Sequence, residues 1–340
     1  MANLTDTQLL AAIAKANNEL QDATEFRDYK HSATKLLLDG EPLVFRNLNQ
    51  LKKSDEQPTK VDLNKRVYRA SASAKSASHA AAAFPDSFTK DITYNRLVQT
   101  FKVSYKQADN NRLTYENILR YEMKNALMSL YLDWSAANIA WLNTNRSQVA
   151  TDSILAFDDT TNFQFDSALA DRDFLFEYIK SAMRANKYNG MIDIVGDQRT
   201  AALYRKLAAN GRTNADNTEY QLPNTTLVEE PQMALTADSV SFAWERGTVG
   251  MTTWNELLNR RGEGSVGSNQ GLFTTMADPV FSGVNLDLHI KRDIADTSGS
   301  AGNVQDVVDE YEIALTYAQE GAWLSTANET SIFKFVQANS

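Results

Sequence analysis

Residues 262–267 read GEGSVG and satisfy G-x-G-x-x-G, the spacing that lets a backbone approach a pyrophosphate closely. That chemistry needs a strand before the glycines and a helix after them, so that the helix N-terminus meets the phosphate. Here the helical-looking WNELLNRR comes before and SNQGLF, with another glycine, comes after. The expectation is a mobile loop rather than a cofactor site. No G-x-x-x-x-G-K-[ST] phosphate cradle occurs. The three histidines, His31, His79 and His289, stand far apart and make no metal-ligand pair. His289 falls on the polar face of a strand and is expected at the surface. The adjacent acids Asp158–Asp159 and Glu229–Glu230 lack converging partners for acid–base or metal chemistry and are expected to be solvated. No Ser–His–Asp arrangement can be nominated from spacing. No catalytic, cofactor-binding or metal-ligating residue is therefore assigned, and no cofactor is expected.

Composition narrows the classes further. The chain has no cysteine, which removes disulfides, thiolate metal sites and cysteine nucleophiles together and fits a reducing compartment. Its 340 residues suggest two or three structural units, large enough to bury about 75% of the unfolded surface. The net charge is −9; Lys52–Lys53 are the only adjacent lysines and Arg260–Arg261 the only adjacent arginines. A general nucleic-acid binder carries a basic stripe, which is missing here. No run approaches the 18 apolar residues of a membrane span, and the opening MANLTDTQLLAAIAKANNEL lacks the basic and apolar regions of a secretory signal.

The elements follow from punctuation and periodicity. Of the 14 glycines only Gly40 precedes residue 190, and residues 86–189 contain neither glycine nor proline, the strongest local breakers. Within that stretch Leu119, Met123, Leu127, Leu130, Trp134, Ala137 and Trp141 step by threes and fours, which predicts a helix over 114–143 with Thr114 as N-cap. Thirty residues of helix span about 45 Å. Residues 168–280 alternate helix and strand: a helix near 171–187, the apolar strand MIDIV, a helix capped by Asp197, then strands at 225–230, 239–245 and 248–254. This reads as an α/β unit. In VNLDLHIKRD, DVVDEYEIALTYAQEGAWLS and SIFKFVQ the apolar residues alternate with period two, which predicts an antiparallel layer covered on one face. The long helix is the natural cover.

One segment fits no element. Residues 71–84, SASAKSASHAAAAF, hold seven alanines and four serines between two strand-like runs, DLNKRVYRA and DITYNRLVQTFKVSYK. Connectors this long without structure of their own are usually functional or disordered. Lys75, His79 and Phe84 are the only side chains in it larger than alanine or serine.

The order of parts resembles the major capsid proteins of tailed bacteriophages, the HK-ninety-seven type fold. PDSFTKDITYNRLVQTFKVSYKQADNNRLTYENILRYEM is similar to that family's return strand and spine helix. MIDIVGDQRTAALYRKLAANG with SVSFAWERGTVGMTTWNELL looks like its axial domain, and VDEYEIALTYAQEGAWL like its closing peripheral strands. The resemblance implies an α+β fold in which residues 1–60 are an N-terminal arm and 61–110 an extended β-hairpin loop. Residues 111–167 with 284–340 would form a peripheral domain carrying the spine helix, and 168–283 an axial α/β domain. It implies a non-enzymatic subunit that assembles with itself into pentamers and hexamers of an icosahedral or prolate shell around double-stranded DNA. Portal and scaffolding or decoration proteins would be its other partners. Localisation would be the virion, after assembly in the host cytoplasm, with no membrane and no sequence-specific DNA contact. Lys75, His79 and Phe84 would then touch the next subunit. Some members crosslink a loop lysine to a neighbour's asparagine; for Lys75 the alternative is an ordinary exposed lysine. An encapsulin-like compartment, or an α/β enzyme without a recognisable motif, is the competing reading.

Overall fold

The computed structural model describes residues 4–21, 23–27, 29–45, 48–64, 87–106, 114–150, 165–167, 173–212, 224–233, 236, 238–296, 305–321 and 329–337. The chain opens with helix α1 (Asp6–Leu20), started by a capping box in which Thr5 and Gln8 each satisfy the other's backbone amide. The short helices α2 (Ala33–Asp39), α3 (Glu41–Val44) and α4 (Leu48–Lys53) follow, then strands β1 (Lys60–Asn64), β2 (Ser87–Asp91) and β3 (Asn95–Ser104). The predicted long helix is α5 (Tyr115–Thr144), thirty residues, with the Asn117 amide donating to the Thr114 hydroxyl and Glu116 in its first turn. Its apolar stripe is buried from Leu119 through Trp134. Nearer the C-terminal end, burial passes from Ala137 and Trp141 to Asn138 and Leu142.

The α/β region contributes β4 (Phe165–Ser167), α6 (Leu175–Ala185), β5 (Ile192–Gly196), α7 (Gln198–Arg212), β6 (Thr225–Glu229) and β7 (Ser239–Glu245). Asp197 starts α7 as expected, accepting from the Thr200 amide at 2.8 Å. The chain then forms β8 (Val249–Trp254), α8 (Leu257–Arg261), β9 (Leu272–Ala277), β10 (Asn285–Asp296), β11 (Gln305–Gly321) and β12 (Phe333–Gln337).

Two five-stranded sheets organise these strands. In the first, the seventeen residues of β11 pair antiparallel with β3 along one edge and with β10 and then β8 along the other, while β9 flanks β10. The helix α5 covers this sheet: Leu119, Leu127 and Trp134 share a core with Leu286, Leu288, Ile290, Ile313 and Tyr317. The Trp134 ring meets Phe281 edge-on at 5.2 Å and Tyr317 at 5.8 Å. The second sheet runs β4-β12-β7-β5-β6 and has its own core, in which α6 packs Phe176 and Ile179 against Ile192, Ile194, Phe333 and Phe335.

Strand membership differs from the sequence reading in two places. β8 and β9, expected inside the α/β unit, pair into the sheet under α5; β12, expected in the terminal layer, pairs with β7 of the other sheet. Alternation identifies a strand but not its neighbour. Phe333 and Phe335 alternate correctly, yet their partners are the side chains of α6 and β5.

The N-terminal segment carrying α1–α4, here called the arm, folds onto this frame. Leu9, Ile13 and Leu20 of α1 enter the core under α5; Lys15–Glu116 and Glu19–Arg120 pair along the two helices, and Glu25, in the short turn after α1, pairs with Lys124. Being exposed, these pairs set register more than they stabilise. The single early glycine explains itself at the α2–α3 junction. A Cβ on Gly40 would sit 2.1 Å from the Val249 carbonyl oxygen, and one on Gly250 would sit 2.9 Å from Gly40 backbone atoms. Two backbones touch there, so neither position accepts a side chain. Gly40→Ala is expected to cost about 1–3 kcal/mol in urea unfolding. Gly267→Ala, where nothing lies within 4 Å, should stay within about 0.5 kcal/mol. Equal effects at the two sites would refute the close approach.

Candidate assembly surfaces

The strands β1 and β2 form a two-stranded ribbon of their own, paired from Lys60↔Asp91 to Asn64↔Ser87. Residues 65–86 join its outer ends, so Lys75, His79 and Phe84 lie outside the described residues. Its root is firmly held. Val61 and Ile92 are buried with Val44 and Phe45 of the arm and Ala318 of β11. Lys90 reaches the buried carboxylate of Glu320 at 2.5 Å. Burial pushes the Glu320 carboxyl above its ordinary range, and the Lys90 ammonium offsets only part of that rise. The Arg260 guanidinium donates to the Lys52 and Ser54 carbonyls at 3.2 and 2.5 Å, and Lys52 pairs with Glu41, so α4 is fixed to the same corner. Ribbon, arm and the end of the central strand therefore meet at one anchored point.

At the other end of β11 a second constellation ties four parts together. Asp309 has no exposed surface and accepts from Tyr105 (2.8 Å), Tyr115 (2.7 Å) and both Nε (2.7 Å) and Nη2 (3.2 Å) of Arg292. Tyr115 also shares a 2.7 Å hydrogen bond with Tyr311, and Arg292 donates onward to the Leu4 carbonyl at 3.1 Å. Asp309 holds the Arg292 guanidinium above its ordinary range. Burial, first of several causes, pushes the Tyr105 phenol up to about 12 and raises Tyr115 and Tyr311 well above theirs. All three phenols therefore stay protonated as donors at physiological pH. A third network joins arm and helix to both sheets. Glu230 accepts from the Ala33 amide and the Ser135 hydroxyl, each at 2.9 Å, and Asn138 donates to Thr34 while accepting from Gln319.

Several sequence expectations take a different form here. Glu229 is a surface acid paired with Arg205, but its neighbour Glu230 is fully buried because three donors converge on it. Asp158 and Asp159 lie outside the described residues. The GEGSVG segment is pinned rather than mobile. Gly262 closes α8 in the left-handed region at φ 69°, Val266 is fully buried, and the Phe273 and Arg292 amides donate to Glu263 and Val266 at 2.8 and 3.0 Å. A strand follows it, so the helix N-terminus that a dinucleotide requires is missing there. His289 is half-buried, stacked on Phe273 at 4.3 Å and sharing a 2.7 Å hydrogen bond with the Gln270 carbonyl. The inward and outward registers of β10 came out as read, except that Asp287 on the polar face is buried under Asn255 and Glu256.

What faces outward is modest. Apolar side chains are exposed at Val98 of the edge strand β3, Tyr121 and Leu132 of α5, and Ile294 of β10. A cavity of about 210 Å³ lies between α1 and α5 beside Arg120 and Tyr121, and one of about 60 Å³ lies beside Arg96 and His289. Both are smaller than the roughly 300–1,000 Å³ of small-molecule sites. Among the described residues, no group of three or more His, Asp or Glu is placed to hold a metal ion, and no helix is long and apolar enough to cross a membrane.

No family model matches the chain, and no curated protein matches it. Among solved structures it is similar to one described as Mycobacterium phage Che8. The identity is 16% over 87% of this chain and 90% of that one, with a TM-score of 0.49. It is also similar to the capsid structure of the Cyanophage P-SCSP1u, at 10% identity, 84% and 85% coverage and a TM-score of 0.47. The capsid of a native GTA particle gives 13% identity, 87% and 92% coverage and a TM-score of 0.44.

Lys90→Met removes the cation that pairs with the buried Glu320 carboxylate and is expected to lower unfolding stability by about 1–3 kcal/mol. Adding Glu320→Gln in the same chain should recover most of that loss. A double variant no more stable than Lys90→Met alone would show that the ion pair does not hold the ribbon root.

Proposed function

We propose that this chain is a major capsid protein, the repeating subunit of a closed icosahedral or prolate shell built from its own pentamers and hexamers around double-stranded DNA. The observation that carries the reading is the ribbon. Two strands in register, gripped at their root by the arm and the central strand, lead into and out of 22 residues rich in alanine and serine. Ordering such a segment costs about 1–2 kcal/mol per residue, and its small side chains bury little area in return. A neighbouring copy supplies the missing surface, and in a closed shell every copy has such a neighbour. The resemblance noted in the sequence supports the same reading.

On this proposal residues 1–60 are the arm and 61–110 the extended loop. Residues 111–167 with 284–340 are the peripheral domain, and 168–283 the axial domain. Following the strand pairing, we place β8 and β9 with the peripheral sheet and β12 with the axial one. Lys75, His79 and Phe84 contact the next subunit. The net charge of −9 repels packaged DNA rather than gripping it, which suits a container. Portal and scaffolding or decoration proteins complete the partners, and the assembled chain resides in the virion after assembly in the host cytoplasm. The subunit carries out no enzymatic step.

Electron microscopy of the expressed protein is expected to show closed shells or capsomers, and deletion of residues 71–83 should leave a soluble subunit that forms neither. A compact monomer under assembly conditions would overturn the proposal, and normal shells from the deletion would overturn the role given to the loop. Protein cargo in place of nucleic acid would assign the shell to an encapsulin-like compartment.

A further inference from the structure

Where α1 runs beside α5, the turn after β9 buries a carboxyl group, Asp278, only 6% exposed. Its Oδ1 accepts from the Tyr131 hydroxyl of α5 at 2.9 Å and from the amides of Val280 and Phe281 at 2.7 and 2.8 Å. Its Oδ2 is buried with no partner among the described residues. Asn17 of α1 reaches the same turn. Its Nδ2 donates to the Ala277 carbonyl at 2.9 Å, one residue before Asp278, and its Oδ1 is likewise buried with no partner among the described residues. Two acceptor oxygens at one junction thus lack a donor, a costly condition for buried polar atoms.

We propose that Asp278 is a proton-operated clasp between the arm and the long helix: protonated on Oδ2, it donates to Asn17 Oδ1 and locks α1, α5 and the turn together, and it loosens on ionising. The proton comes from solvent and returns to it. Facing Asp278, α5 contributes one titratable group, Tyr131, α1 contributes the non-titrating Asn17, and the turn contributes two amides. No cation acts on it among the described residues. Burial raises the carboxyl to about 6 against the pull of the amides and Tyr131, while burial holds Tyr131 well above its ordinary range as a constant donor. The folded value exceeds the ordinary value of about 3.9. The stability it contributes is therefore complete below about pH 4 and is lost as pH rises through about 6.

Hydrogen exchange of the α1 amides in the full-length protein, corrected for intrinsic pH dependence, reads the clasp directly. Opening of α1 should become about tenfold rarer between about pH 7 and pH 5. Asp278→Asn keeps the Oδ1 acceptor and supplies an N–H donor at every pH, so this response should vanish. Asn17→Ala keeps the carboxyl but removes its acceptor, and the response of α1 should shrink. An unchanged tenfold response in Asp278→Asn, or none in the parent chain, overturns the clasp. If Asp278→Asn does not fold, a full response in Asn17→Ala overturns it alone.

Discussion

A carboxylate with no exposed surface must be satisfied by whatever surrounds it, and Asp309 imposes that demand on the middle of this molecule. Its donors come from the end of β3, the first turn of α5 and the middle of β10, and Arg292 carries the network on to the backbone of Leu4. Withdrawing any one donor strands part of a buried charge, so arm, helix and sheet cannot slide independently. The apolar stripe of α5 supplies area, but area alone tolerates shifts in register. The network does not.

The rest of the architecture distributes strength around this fixed centre. β11 is long enough to be paired on both edges, and its two ends serve different purposes: the Asp309 network at one, the ribbon root at the other. The second sheet keeps a separate core on one face and on the other meets the first body through Val195, Phe242 and Trp244, beside Glu230, whose donors come from α2 and α5. Rigid attachment of a ribbon at its root suits the inter-subunit contact proposed for it, because a loosely held ribbon would spend its contact energy on its own ordering.

Much of this was legible in the residues. The step pattern of α5, its Thr114 cap, the alternation in β10 and the Asp197 start of α7 are local signals, set by neighbours three or four positions away, and they appear where expected. The buried acids were not legible. Glu230 looks like its half-buried neighbour Glu229, and Asp309 sits in VVDEYE beside the half-buried acids Glu310 and Glu312. Most of their donors lie far off in the sequence: Ser135 is 95 residues from Glu230, and Tyr115 and Tyr105 are 194 and 204 residues from Asp309.

The sequence by itself determined most of the longer helices and strands, that a glycine-free stretch would hold one long helix, and that residues 71–84 could build no core of their own. Hydrogen-bond periodicity and side-chain size act over a few residues and leave that local record. Only the tertiary structure decided that β8 joins β11, that β12 crosses to the other sheet, that Gly40 is required because two backbones touch, and which acids lose their water. Those outcomes depend on surfaces brought together from distant parts of the chain, and no short stretch of sequence encodes the far side of its own contact.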